Sequence, residues 1–374
     1  MTKFRKLLAQ YDYSLPESLI AQEPAHPRDS ARLLVFNRLT GEQHDDIFAN
    51  LGEHLPKNAV LVFNETKVIP ARLTLTKPTG GLARVLYIGH DDNEIEVLAD
   101  RRLDVGAMLN LRHSERSGVE LRNLTRMRAH IRVRSFAALR MTDICFLVTR
   151  KEGSHYFLKP SFPMAKLFFV LEKYGSPPIP PYIKHSPLSE AQLKKEYQTV
   201  FAHTRGSVAA PTASLHFTKR LLEKLVRAGI AVQYVTLHVN LGTFASLTEQ
   251  NVQEGRLHIE YFSIAKSCAA ALNFAKQSGR PIIAVGTTVA RTLESASDAR
   301  GNLKSMDGAT RLFIRQDYKF KFIDGLITNF HVPKSSLLML VSALVGRKKL
   351  FELYRHAIQK KYRFFSFGDG MLIY

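Results

Sequence analysis

The stretch Ala59–Pro70, AVLVFNETKVIP, decides how the chain divides. Ala59 to Asn64 is a short apolar run, the signal of a buried strand. Glu65–Thr66–Lys67 reads as a turn, and Pro70 closes the unit. Beyond Pro70 the pattern changes in kind. From Ala71 to about Arg150 it is β: Ala83–Ile88 and Ile95–Ala99 are apolar or alternating runs separated by the turn residues Gly89–Asn93. Apart from an ambiguous basic block, no helix pattern interrupts them, so a small barrel or meander fits.

Beyond this region helix and strand alternate. Ala165–Tyr174 predicts a helix, closed by Gly175 and the rigid cluster Pro177, Pro178, Pro180 and Pro181. Thr218 is placed to cap a helix whose stripe is Leu221, Leu222, Leu225 and Val226, with Gly229 as the stop. Ile230–Leu237 reads as a strand. Ile264, Cys268, Ala271, Leu272 and Ala275 make the next helical stripe, and Pro281–Val285 the next buried strand. Ser335 or Ser336 caps a helix running to Gly346, and Leu350–Lys361 reads as another. This rhythm implies an α/β sheet buried on both faces. A β region interrupting it is better explained by insertion than by two domains in tandem. The expected fold is therefore α/β, with a main α/β domain of residues 1–70 and 156–374. A small antiparallel β-barrel domain, 71–155, is inserted in it and carries an atypical basic insertion at about 112–141.

Composition narrows the function. The 374 residues hold 53 Lys and Arg against 33 Asp and Glu, a net charge of +20. With 45% apolar residues a core can form, which excludes wholesale disorder. The longest apolar run, Ser335–Gly346, is too short to span a bilayer. Met1–Gln10 lacks the apolar segment of a secretory signal. Cys145 and Cys268 are too few for a disulfide scaffold or a cysteine zinc site. A soluble, cytoplasmic protein with a polyanionic partner, nucleic acid first, is the expectation. The charge is clustered. Arg311–Arg363 holds twelve bases and three acids, interleaved with Tyr318, Phe320, Phe322, Tyr354, Tyr362, Phe364 and Phe365. Such a mixture serves either an RNA site or a solvated face over ordinary core aromatics. Arg112–Met141 holds eight arginines and two glutamates.

Dinucleotide, P-loop, HExxH and GxSxG signatures are absent, and nothing argues for a metal. What stands out is a set of polar residues in small, tight segments: GSVAAPTASLHF (Gly206–Phe217), TLHVNLGTF (Thr236–Phe244), AVGTTVARTLE (Ala284–Glu294), DGLITNFHVPKSS (Asp324–Ser336) and YRFFSFGDGMLI (Tyr362–Ile373). Gly286–Thr287–Thr288 follows a buried strand and opens a helix, so its N–H groups can receive an anion, or the threonines simply cap the helix. His216, His238 and His331 are either catalytic or satisfied core histidines. Asp369 is a carboxylate base or a turn former, and Arg291 with Glu294 fits a surface pair. These residues describe an α/β enzyme with a polar pocket; they do not name a reaction.

The same segments closely resemble the S-adenosylmethionine:tRNA ribosyltransferase-isomerase family of queuosine biosynthesis. The resemblance runs nearly end to end, adding YDYSLPESLIAQEPAHPRDSARLLV (Tyr11–Val35), VFNETKVIPARL (Val62–Leu73), KPTGG (Lys77–Gly81), PPIPPYI (Pro177–Ile183) and YQTVFA (Tyr197–Ala202). It implies an α/β domain with an inserted β-barrel, and transfer of the ribosyl moiety of S-adenosylmethionine to a 7-aminomethyl-7-deazaguanine at the tRNA wobble position. Adenine and methionine leave, and the product is epoxyqueuosine. S-adenosylmethionine is then a co-substrate and no true cofactor is implied. The partners are tRNA and S-adenosylmethionine, without a membrane, for a monomer or weak homo-oligomer. Such chemistry needs a neutral amine, a base and an acid. The catalytic candidates are His216, His238, His331 and Asp369. Arg72, Thr212, Thr287, Thr288, Arg291 and Lys334 are the candidates for binding substrate.

The chain departs from the family pattern at Ser214, Asn240, Val289–Ala290, Leu257, Ile259 and Gly370. Arg112–Met141 has no counterpart in the family's barrel and looks like a translated repetitive element. It reads as a tolerated surface loop rather than an RNA-binding arm. The rival reading of the whole chain is a catalytically impaired RNA-binding paralogue.

Overall fold

The computed structural model describes residues 2–112, 144–239 and 247–374. The basic insertion beyond Arg112, and Asn240, lie outside them. The chain separates into two compact units, Met1–Val68 with Ile179–Tyr374, and Ile69–Pro178. The expected boundary at 155 thus falls later: residues 156–178, assigned from sequence to the α/β part, pack within the second unit.

The first unit holds β1 (Arg32–Phe36), β2 (Gln43–Ile47), β3 (Val60–Asn64) and β4 (Thr66–Val68). The second holds β5 (Arg72–Thr76), β6 (Leu82–His90), β7 (Ile95–Ala99), β8 (Met108–Leu111), β9 (Cys145–Glu152) and β10 (His155–Pro160). The first then resumes with β11 (Thr204–Ser207), β12 (Ala231–His238), β13 (Arg256–Ile264), β14 (Ile282–Val285), β15 (Met306–Leu312), β16 (Gly325–Asn329) and β17 (Gly370–Ile373).

A nine-stranded sheet runs β15-β13-β12-β3-β14-β16-β17-β1-β2. Its centre, β12, β3, β14 and β16, is parallel, and antiparallel pairings flank it. Of the parallel strands, β3, β14 and β16 are buried along their whole length, which is why β3 and β14 read as apolar runs. Alternation still sorts their side chains. Val60, Val62, Ile282 and Ala284 pack on one face with Leu272, Leu293 and Leu338, while Leu61, Phe63, Ile283 and Val285 pack on the other with Leu221 and Leu225. Each such side chain contributes about 1.5–3 kcal/mol when taken from water.

The connecting helices start where the capping residues predict. Thr218 Oγ1 accepts the Leu221 N–H at 3.1 Å, and Ser335 Oγ accepts the Leu338 N–H at 3.2 Å. One reading fails at short range. Thr66–Lys67 is not a turn but belongs to β4, which pairs in parallel with β11. The motif end GMLI, given no element from sequence, is the buried strand β17, wedged between β16 and β1.

The second unit is a closed barrel, β10-β7-β6-β5-β8-β9. The helix Leu167–Tyr174 belongs to it and ends at Gly175, where a Cβ would lie 1.8 Å from the Pro70 carbonyl oxygen. Only glycine fits that approach.

Candidate functional site

Parallel strands of an open α/β sheet deliver their loops to one edge, outside their carboxyl ends, and ligands bind there. Here β14 ends at Val285, just before Gly286, and β16 at Asn329, and a cleft opens beyond them. Its walls come from the Ala210–Ala213 segment, Val239, the start of the helix Thr287–Ala296, the Thr328–Val332 turn, Pro181–Tyr182 and Phe365–Ser366. Every wall segment except Pro181–Tyr182 includes a residue of a motif singled out for its Gly, Ala or Pro content beside a polar group.

His331 forms part of the wall. Its Nε2 lies 2.8 Å from Thr328 Oγ1, which also faces the cleft. The backbone is fixed on both sides: Tyr354 Oη accepts the His331 N–H at 2.8 Å, and Tyr13 Oη donates to the His331 carbonyl at 2.5 Å. Burial pushes the His331 imidazole down to about 3, so at neutral pH it is uncharged.

His216 stands one layer behind the wall. Its ring stacks on Phe48 at 4.3 Å, and its Nε2 lies 3.3 Å from Asn329 Nδ2. The other end of that amide, Oδ1, accepts from Thr212 Oγ1 at 2.8 Å. Thr212 and Asn329 both face the cleft, so His216 sets the orientation of the amide that does the facing. Burial, then the charges of Arg363 and Arg28, push His216 down to about 3.

His238 anchors a second polar chain. Its Nδ1 lies 3.1 Å from Thr66 Oγ1. The Thr66 N–H donates to Asn64 Oδ1 at 3.1 Å, and Asn64 Nδ2 lies 3.5 Å from Thr288 Oγ1 on the cleft wall. Burial lowers the His238 pKa. The ring is packed against Gly206, where a Cβ would meet it at 2.8 Å. Thr287 and Thr288 open the helix Thr287–Ala296, whose first-turn N–H groups and dipole favour an anion.

The other candidates have different tasks. Asp369 is buried, with Oδ1 accepting the Arg32 N–H at 3.0 Å and Oδ2 the Arg363 N–H at 2.7 Å. The Arg363 guanidinium adds contacts at 3.3 and 3.4 Å. This carboxylate ties β1 to the turn before β17, in keeping with the turn reading, and does not line the cleft, where a base would have to stand. Arg291 is buried in an ion pair with Glu260 of β13, and its Nε donates to the Leu312 carbonyl at 3.1 Å. Glu294 is buried too, accepting from Tyr318 Oη and from the N–H groups of Lys321, Phe322 and Ile323. Neither forms the surface pair expected, and Arg291 does not reach the cleft. Lys334 Nζ pairs with Asp12 at 2.8 Å, and its N–H donates to the Tyr11 carbonyl, bracing the turn that carries His331. Arg72 lies in the barrel unit on β5, where burial and then Arg84 lower its pKa.

Sequence reasoning does not single out Asn64, Thr328, Asn329, Tyr13 or Tyr182. The signal is there for two of them. VLVFN and GLITN each close a fully buried strand with an amide at its carboxyl end, the position from which a side chain can reach a ligand.

A mixed α/β sheet with a polar cleft at its strand ends, together with a closed barrel formed by an intervening stretch of sequence, defines an α/β enzyme of two units. The model of the family described as "Queuosine biosynthesis protein" matches residues 8–373, and the chain belongs to that family. It is 42% identical over 368 residues to an S-adenosylmethionine:tRNA ribosyltransferase-isomerase of Halothermothrix orenii, covering 97% of this chain and 98% of the relative. A Thermoanaerobacter protein of the same name is 41% identical, covering 98% and 99%. A crystal structure of S-adenosylmethionine tRNA ribosyltransferase from Thermotoga maritima is 29% identical, covers 98% of this chain and all of that one, and superposes with a TM-score of 0.51.

Proposed function

We propose that this chain transfers and isomerises the ribosyl moiety of S-adenosylmethionine onto the 7-aminomethyl-7-deazaguanine of tRNA, giving epoxyqueuosine and releasing adenine and methionine. The observation that carries this reading is that relatives with this activity in their names match it over essentially their whole length. The cleft supplies groups suited to the chemistry. The amino-terminal turn at Thr287–Thr288 suits the methionine carboxylate. His331 is the acid–base residue on the wall. Burial keeps it uncharged, so it meets the substrate as a proton acceptor. His216 and His238 act through Asn329 and through Thr66 and Asn64 as positioning residues. S-adenosylmethionine serves as co-substrate, and no cofactor enters a step. We place the enzyme in the cytoplasm, as a monomer or weak homo-oligomer. No helix among the described residues is long and apolar enough to cross a membrane.

Incubating the protein with S-adenosylmethionine and precursor tRNA tests the proposal. Adenine release that depends on tRNA is expected. Binding of tRNA without any adenine release would overturn it in favour of an impaired paralogue, a reading that no observation presently favours.

A further inference from the structure

The Arg311–Arg363 block separates, once folded, into groups already engaged and groups that are not. Tyr354, Tyr362, Phe322 and Phe364 are core residues rather than stacking platforms. Lys334, Lys349 and Arg363 are held in ion pairs. Arg311 and Lys319 are exposed and, among the described residues, form no ion pair, and the same is true of Arg256. These three cations line one open groove between the start of β13, β15 and the loop that carries Tyr318. The groove's one carboxylate, Glu294, is buried and taken up by the hydroxyl of Tyr318 and three backbone N–H groups. Its charge is spent holding the loop in shape, so the rim stays cationic. The Tyr318 ring, half-buried, adds an aromatic edge.

The groove is joined to the cleft by a single element. The helix Thr287–Ala296 contributes Thr287 and Thr288 to the cleft and Glu294 and Ser295 to the groove. From Thr288 to Ser295 the rise is about 10 Å at ~1.5 Å per residue.

We infer that this groove is a docking surface for the sugar–phosphate backbone of RNA, taking phosphates of the strand whose base enters the cleft. The inference rests on the tRNA reading proposed above and adds the surface on which that strand lies. Unpaired cations in a concavity beside an aromatic edge match a polyanion, and the helix fixes the offset between base and backbone.

The experiment measures tRNA affinity against salt, and steady-state kinetics, for the intact chain carrying Arg256→Gln, Arg311→Gln and Lys319→Gln together. Each phosphate that is no longer neutralised lowers the slope of log affinity against log salt by about 0.7–0.9. A slope smaller by about 2 is expected, with KM for tRNA raised at least tenfold. The kcat at saturating tRNA and the KM for S-adenosylmethionine should stay within about twofold. A control with Arg5→Gln, Lys57→Gln and Lys219→Gln, all exposed elsewhere on the same unit, should leave the slope unchanged. An unchanged slope in the groove variant, or an equal fall in the control, overturns the inference. Should the triple variant melt early, Arg311→Gln and Lys319→Gln singly carry the same test at about one phosphate each. Wild-type protein that releases no adenine sinks the functional proposal. Active wild-type protein with an insensitive groove sinks only the docking surface.

Discussion

His331 and His216 are both held uncharged by burial, and this makes them sensors of acid as well as parts of a site. In the unfolded chain each takes a proton near pH 6.5, and in the folded chain only near 3. The folded form therefore binds fewer protons between those values, so its stability rises with pH there and is complete above 6.5. Each histidine costs about 1.4 kcal/mol per pH unit on the way down. Chemical denaturation at pH 6.5 and 5 should show a loss of about 2–4 kcal/mol, and His216→Gln should remove roughly half of that slope. Activity separates the two. His331→Ala, at the wall, should lower kcat by about 10²–10⁴-fold in a protein that still melts cooperatively. Asn329→Ala leaves Thr212 and the His216 ring without their shared amide, and should cost about 1–3 kcal/mol of stability along with activity. The histidines are legible in the sequence because their type is rare and chemical. Asn329 is not, because an amide announces itself only once the strand it ends is known to point at a ligand.

At the level of elements, apolar runs and caps locate the central strands and most helices, since burial on both faces and N-cap hydrogen bonds leave local marks. The strands β13 and β15 leave no such mark. They lie towards one side of the sheet with several exposed positions, so their apolar pattern is broken. β17 reads from sequence as part of a site because it lies beside the FGDG turn, whose aspartate is a tie between elements. One contact between elements can be tested directly. Gly206 in β11 has φ +144°, and the His238 ring of β12 fills the space a side chain would need. Gly206→Ala should destabilise by about 2–4 kcal/mol, measured by urea unfolding, from both the backbone conformation and the clash. Adding His238→Ala opens the space and leaves the backbone term, so the double variant should cost less than the sum of the singles.

For the whole molecule, the +20 that first pointed to a polyanion includes two separate contributions. One is structural: exposed cations on a groove tied to the cleft. The other is the arginine-rich insertion, whose attachment points say what its removal would do. Asn110 of β8 is paired with Cys145 of β9, and the Leu111 N–H donates to the Ile144 carbonyl at 3.0 Å. The two ends of the insertion are thus adjacent in an antiparallel pair, so a short Asn-Gly turn can bridge them without altering the barrel. Replacing residues 113–143 in this way shortens the connection roughly fifteenfold, and by loop-closure entropy alone should stabilise the barrel by about 2 kcal/mol. The measurement that matters is the salt dependence of tRNA binding. If the insertion is a tolerated loop, the shortened protein keeps its slope and its adenine release, whereas the groove variant does not. A slope that falls with the shortened loop would instead assign the eight arginines to RNA. Net charge alone cannot make this distinction, because a surface loop and a binding groove add to it equally, and only the groove holds its cations at a fixed offset from the chemistry.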